Sequence, residues 1–220
     1  MGDGSYTFGP TDSVAGTKTT VGTAAPIWNR DSTVITMRVA KGNVVDAKEC
    51  AGFIEVEADG LNGPHIYAYG NGAGGATNSG NMAAEIIECS IPVTGNSNVT
   101  VSVTDAEAAK DVTVSLGFVA GLGRNVRSYS AGGAGQDTAA DTQLTLTSTK
   151  PHTTKIVAAG TIKEIRFAGS GVVDAKAGSG ILELDVPDYN MPTRWAIGNG
   201  PGGATLSGPA HADVIDLKQG

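Results

Sequence analysis

Short runs in which apolar and polar residues alternate recur along the whole chain. Val99–Thr104 and Val112–Val119 are the clearest; up to Phe118 they place Val, Leu and Phe on one parity and Thr, Ser and Gly on the other. A period of two sends one parity into a core and leaves the other in water, the pattern of a half-buried strand. The pattern predicts strands at Thr33–Ala40, Phe53–Ala58, His65–Tyr69, Ala84–Ile91, Asn98–Thr104 and Val112–Val119. A second set is expected at Thr161–Ala168, Ile181–Val186, Arg194–Ile197 and Ala212–Leu217, with Gln143–Thr147 and Thr154–Ala158 leading into it. Gly- or Asn-bearing turns divide the strands, and only Asp105–Asp111 offers a turn or two of helix.

The two sets are related. Sliding the chain by 128 positions lays Ser32–Pro92 on Gly160–Gly220 without a gap, with about 24 of 61 residues identical. Val44–Lys48 returns as Val172–Lys176, and Gly70-Asn71-Gly72 returns as Gly198-Asn199-Gly200. Where identity drifts, size and polarity survive: Phe53–Glu57 becomes Ile181–Asp185, and Glu85–Glu88 becomes Asp213–Asp216. That is expected where one strand face is buried and the other is wet. The expectation is an all-β protein of two tandem antiparallel β-sandwich, jelly-roll-like domains arising from internal duplication. Residues 1–31 read as an N-terminal arm or first strand and residues 32–120 as the first sandwich. Residues 121–142 read as a Gly/Ser/Ala-rich linker and residues 143–220 as the second sandwich.

The copies are not equivalent. After its last shared strand the first continues through Asn98–Thr104 and Val112–Val119, for which residues up to Gly220 offer no counterpart in the second. An uncompleted sandwich exposes an edge that pairs with other strands. Either the segment Ser5–Thr23, with its own alternating stretch, or a strand from a neighbouring subunit would cover it, or the second domain is simply smaller.

Composition narrows the function. An apolar fraction of 40% supplies real cores, and 32 glycines without a Gly-X-Y period make a turn-rich chain rather than collagen. The formal net charge of −7, with dispersed Lys and Arg, repels a phosphate backbone, so no direct nucleic-acid partner is expected. No secretory leader or membrane-spanning run stands out, so cytoplasmic synthesis without a signal peptide is expected. Cys50 and Cys89 fall opposite Gly178 and Leu217 in the repeat, so the fold does not require them; they are either two buried thiols or one bridge.

Candidate chemistry is sparse. Gly70/Gly72/Gly75 and Gly198/Gly200/Gly203 fit the spacing of a dinucleotide loop, but no helical pattern follows to carry a pyrophosphate. His65, His152 and His211 belong to no serine–histidine–acid set, and no catalytic residues are nominated: the chain is not expected to be an enzyme. The repeat keeps carboxylates. Asp46, Glu55 and Glu57, with Asp174, Glu183 and Asp185, are candidate Ca²⁺ ligands, against the alternative of a solvated, charged sheet face. No other cofactor is implied. Tyr67 and Trp195 occupy one repeated aromatic position beside the glycine loops, either as core anchors or as platforms for sugar rings.

Taken together, these features point to a structural, self-assembling protein. The profile resembles in style that of virion coat (capsid) or decoration subunits, without a diagnostic motif. Its partners would be copies of itself and other virion proteins, its location a virion or extracellular assembly. Expected contact residues are Gly70, Asn71, Gly72, Gly75 and Thr77, their counterparts Gly198, Asn199, Gly200, Gly203 and Thr205, and Ser5–Thr23. A pair of lectin-like carbohydrate-binding modules is the alternative, with a filament or surface-layer subunit close to the first reading.

Overall fold

The computed structural model describes residues 4–24, 29–42, 51–70, 85–105, 111–126, 128, 161–167, 179–185, 193–198 and 213–217. Asp46, Cys50, Asp174, the loops 71–77 and 199–205, and the strands expected at 143–147 and 154–158 lie outside them. Every regular element among the described residues is a strand, and all strand pairs are antiparallel. No helix among them is long and apolar enough to cross a membrane.

The first eight strands are β1 (Gly4–Asp12), β2 (Lys18–Ala24), β3 (Ser32–Lys41), β4 (Ala51–Ala58), β5 (His65–Gly70), β6 (Glu85–Val93), β7 (Val99–Asp105) and β8 (Asp111–Ala120). They form two four-stranded sheets, ordered β1-β8-β3-β6 and β2-β7-β4-β5. The pairing is nested: β1 with β8, β2 with β7, β3 with β6, β4 with β5. Further ladders β3·β8 and β4·β7 complete the sheets. Alternation drives this arrangement. In β8 every second side chain (Val112, Val114, Leu116, Phe118) is buried, and these meet Val99, Val101 and Val103 of β7, Ile54 and Val56 of β4, and Met37 and Val39 of β3 in one core. The architecture is β-sandwich-like, as the alternation implies.

Residues 1–31 contribute more than an arm. β1 and β2 are hydrogen-bonded to β8 and β7, so the segment Ser5–Thr23 is built into the first sandwich rather than lent to the second copy. β1 tolerates Pro10 because it is an edge strand with an irregular register between Phe8 and Thr11. Gly9 is required there: its φ is +91°, and a Cβ would come 2.5 Å from the Val112 carbonyl oxygen. The first residues of the expected linker also run along this sandwich. Thr33 Oγ1 donates to the Gly121 carbonyl at 2.6 Å, Val126 N–H to the Ser90 carbonyl at 3.1 Å, and Ile66 N–H to Ser128 Oγ at 2.8 Å.

Four strands follow: β9 (Glu164–Phe167), β10 (Ser179–Leu184), β11 (Thr193–Gly198) and β12 (Asp213–Asp216). They form two two-stranded ribbons, β9·β12 and β10·β11. Glu164 pairs with Asp216, as Thr36 pairs with Glu88; Ser179 pairs with Gly198, as Ala51 pairs with Gly70. Each pairing is its counterpart in β3·β6 or β4·β5 moved by 128 residues.

Candidate functional site

Parity along two strands produces the most unusual group among the described residues. Lys41 follows Met37 and Val39 at the inward spacing of β3, and Asp105 follows Val101 and Val103 at that of β7. Both charged side chains therefore turn inward at the ends of apolar rows. They meet across the two sheets, Lys41 Nζ to Asp105 Oδ2 at 2.7 Å, each with 0% of its side chain exposed. The buried Tyr69 hydroxyl donates to the same Oδ2 at 2.7 Å, and the Lys41 ammonium lies 5.7 Å from the centre of the Tyr69 ring. Gly52 makes room for that hydroxyl: a Cβ there would come 2.6 Å from it and 2.7 Å from the Thr104 carbonyl. Burial, then the Asp105 carboxylate, pushes Tyr69 well above the usual tyrosine range, so it remains a donor. Burial strips both groups of hydration, which their contact with each other and with Tyr69 must replace.

A second group joins the two halves of the repeat. Glu85 is buried at the start of β6, where its Oε2 accepts the Gly70 N–H at 2.6 Å and its Oε1 pairs with the Arg166 guanidinium of β9. Arg166 Nε also donates to the Ala68 carbonyl of β5 at 3.2 Å. The counterparts of Glu85 and Arg166 are Asp213 and Arg38, and this contact is not between equivalent positions.

Of the carboxylates expected as Ca²⁺ ligands, Glu55, Glu57 and Glu183 pair with cations of the protein. Lys18 Nζ, reaching across β7, hydrogen-bonds Glu55 Oε1 and sits 2.9 Å from Glu57 Oε1. Burial raises the Glu55 pKa, helped by the Glu57 hydrogen bond and opposed by Lys18. Glu57 is lowered by its hydrogen bond with Glu55 and then by Lys18. Burial works against the Lys18 ammonium, but hydrogen bonds to Glu55 and Glu57 outweigh it and leave its pKa raised. In the second region Arg194 Nε donates to Glu183 Oε2 at 2.6 Å, while Asp185 is exposed beyond β10. Among the described residues no three His, Cys, Asp or Glu side chains converge as a metal site.

Gly70 and Gly198 end β5 and β11; the rest of both glycine loops lies outside the described residues. Tyr67 is 8% exposed, so its ring belongs to the core, whereas Trp195 is half-buried on β11. His65 is fully buried. Cys89 is a free, half-buried thiol whose S–H is directed at the Val34 carbonyl, and burial pushes it up to about 12. One shallow, open hollow of about 280 Å³ lies between Thr33, Ile35, Ser90 and the 119–123 turn, below the roughly 300–1,000 Å³ of most ligand pockets.

Sequence reasoning passed over Lys41, Asp105, Tyr69, Lys18 and Arg166. For the first two a signal existed, a charge on the inward parity of an apolar strand. For the others none did, because their roles depend on which strands become neighbours. No family model, curated protein or solved structure matches the chain.

Proposed function

We propose that the chain is a self-assembling structural subunit of a virion, a coat or decoration protein. On this reading it consists of two tandem jelly-roll-like sandwiches derived by duplication. Nested pairing of eight strands into sheets 1-8-3-6 and 2-7-4-5 is what rolling up one long antiparallel hairpin produces. Jelly rolls, found in viral capsids and also in lectins and cupins, are built with such an order, which supports the reading by analogy alone. Duplication is supported by the shared registers of β9·β12 with β3·β6 and of β10·β11 with β4·β5.

The observation that carries the assembly reading is the state of those repeated strands. Ile181 is 73% exposed where its counterpart Phe53 is 8% exposed, and Val214 is 43% exposed. Among the described residues no further strand pairs with either ribbon. Apolar side chains open to solvent on these strands invite a sheet face from a neighbouring subunit. The partners are then other copies of the chain and other virion proteins, and the location is the assembled particle. A sugar-binding role is less well supported, since the buried Tyr67 ring offers no platform.

Negative-stain electron microscopy of purified protein over a concentration series tests this reading. Closed shells, or decoration of a particle lattice, are expected. Dispersed single chains at every concentration would sink it and return sugar binding to the front. Open filaments or flat arrays would favour a fibre or surface layer.

A further inference from the structure

The buried Lys41–Asp105 contact is more than an ion pair in an awkward place. An amine nitrogen and a carboxyl group are held 2.7 Å apart, shielded from water, on strands of opposite sheets. Both are the last residues of their strands, and both are anchored by main-chain bonds. Lys41 pairs with Val112, and the Asp105 carbonyl accepts the Gly16 N–H at 2.8 Å.

We propose that Lys41 and Asp105 condense in the folded protein into an intramolecular isopeptide bond, and that the observed contact is the pair before reaction. The step balances without a co-reactant. The Lys41 ammonium passes one proton to Asp105 Oδ2, leaving a neutral amine beside a neutral carboxylic acid. The nitrogen lone pair attacks Cγ, the N–C bond forms, and the carbonyl electron pair moves onto Oδ1. A second proton passes from nitrogen to Oδ2. The Oδ1 pair then returns, the Cγ–Oδ2 bond breaks, and Oδ2 departs as water. Ammonium and carboxylate become a secondary amide and one water; nothing is oxidised or reduced.

Three features of the site favour this over a lasting ion pair. Burial keeps bulk water away from the pair, the medium that would hydrate both groups and favour the reverse hydrolysis. The reacting groups are already in contact, and such fixed pairs reach effective concentrations of roughly 10⁵–10⁸ M. The Tyr69 hydroxyl, donating to Oδ2 at 2.7 Å, fixes the orientation of the carboxyl group beside the amine. Gly52 is the residue that lets Tyr69 reach that point.

The bond would fasten β3 of one sheet to β7 of the other, so neither could separate while the backbone remained intact. It is a property of the first region alone, because the counterparts of Lys41 and Tyr69 are Gly169 and Ile197. It stands independently of whether the chain assembles.

Mass spectrometry of the denatured full chain, followed by tryptic mapping, decides the matter. The intact mass should fall short of the sequence mass by one water. A branched peptide should join the segments holding Lys41 and Asp105, with no cleavage after Lys41. K41M and D105A should keep their full sequence mass, while Y69F should show a smaller linked fraction after the same incubation. D105N would expel ammonia instead of water and end at the same linked mass as the wild type. A wild-type chain at full sequence mass overturns the proposal even if no variant folds. So does a one-water deficit that maps elsewhere, such as to a succinimide.

Discussion

Strands β3 to β6 and β9 to β12 follow the same pattern and keep the same registers, yet they occupy different environments. In the first region Met37, Ile54, Val56 and Ile87 are completely buried. Their counterparts Ile165, Leu182, Leu184 and Ile215 are only half-buried. The difference lies in the neighbours. β3 and β4 are flanked by β8 and β7, whose valines complete the core, while the described part of the second region contains only the inner hairpins. A register is therefore a local property of paired strands, whereas burial belongs to the whole sandwich. Two-stranded ribbons are marginal alone and need a third layer or partner.

The largest test of this contrast is a matched pair of truncations. Ile54→Ala should leave a cavity in a closed core and cost about 2–5 kcal/mol. Leu182→Ala, at the same place in the repeat, should cost about 1 kcal/mol in dilute solution, because its environment is already partly open. Amide hydrogen exchange read strand by strand separates the two regions, which one global melting curve would mix. Equal costs would mean that the second region is closed within a single chain, and the case for a covering neighbour would fall.

How much of this could be read beforehand depended on whether a feature is local. The all-β class and the places of most strands followed from alternation, since period two is written residue by residue. β1 was legible only as an arm or first strand somewhere in residues 1–31, because Gly4–Asp12 holds a Gly-Pro pair and buries only Phe8. Ser5–Thr23 was one of three ways considered to complete the second copy; its pairing with β8 and β7 depends on a chain separation that no local pattern encodes. The carboxylates Glu55 and Glu57 do share a strand, but Lys18 reaches them from two strands away. Lys41 and Asp105 were legible in principle, as charges at positions where the parity demands an apolar residue. Tyr69 as their third member was not, because its approach depends on the space above Gly52.

That space gives a sharper and smaller test. Gly52 and Gly180 are the same glycine of the repeat, yet a Cβ at Gly52 would strike Tyr69 and the Thr104 carbonyl. At Gly180 the nearest atom would be Ile197 Cδ1, at 3.9 Å. Gly52→Ala should therefore cost about 1–3 kcal/mol through overpacking. Gly180→Ala should be neutral, or stabilise by up to about 1 kcal/mol by restricting the unfolded chain. Urea unfolding with exchange readout checks both. A tolerated Gly52→Ala would show that Tyr69 has room to move and is not held against Asp105.

The gentlest contrast is in the response to alkali. Cys89, Tyr67 and Tyr69 of the first region face Leu217, Trp195 and Ile197 in the repeat, none of which loses a proton in this range. Burial raises all three groups, Cys89 from the usual thiol value near 9 to about 12. A raised folded-state pKa means that the native chain holds the proton where the unfolded chain releases it. Stability from these groups is therefore complete below pH 9 and drains away as the pH rises towards about 12. The urea midpoint of the first region should decline across that interval, while exchange in β9 to β12, corrected for its intrinsic pH dependence, stays level. Cys89→Ala should make the decline shallower, since one of the three proton-linked contributions is gone. A parallel decline in both regions would mean that they unfold as one unit, and the contrast between them would then be one of exposure without independence.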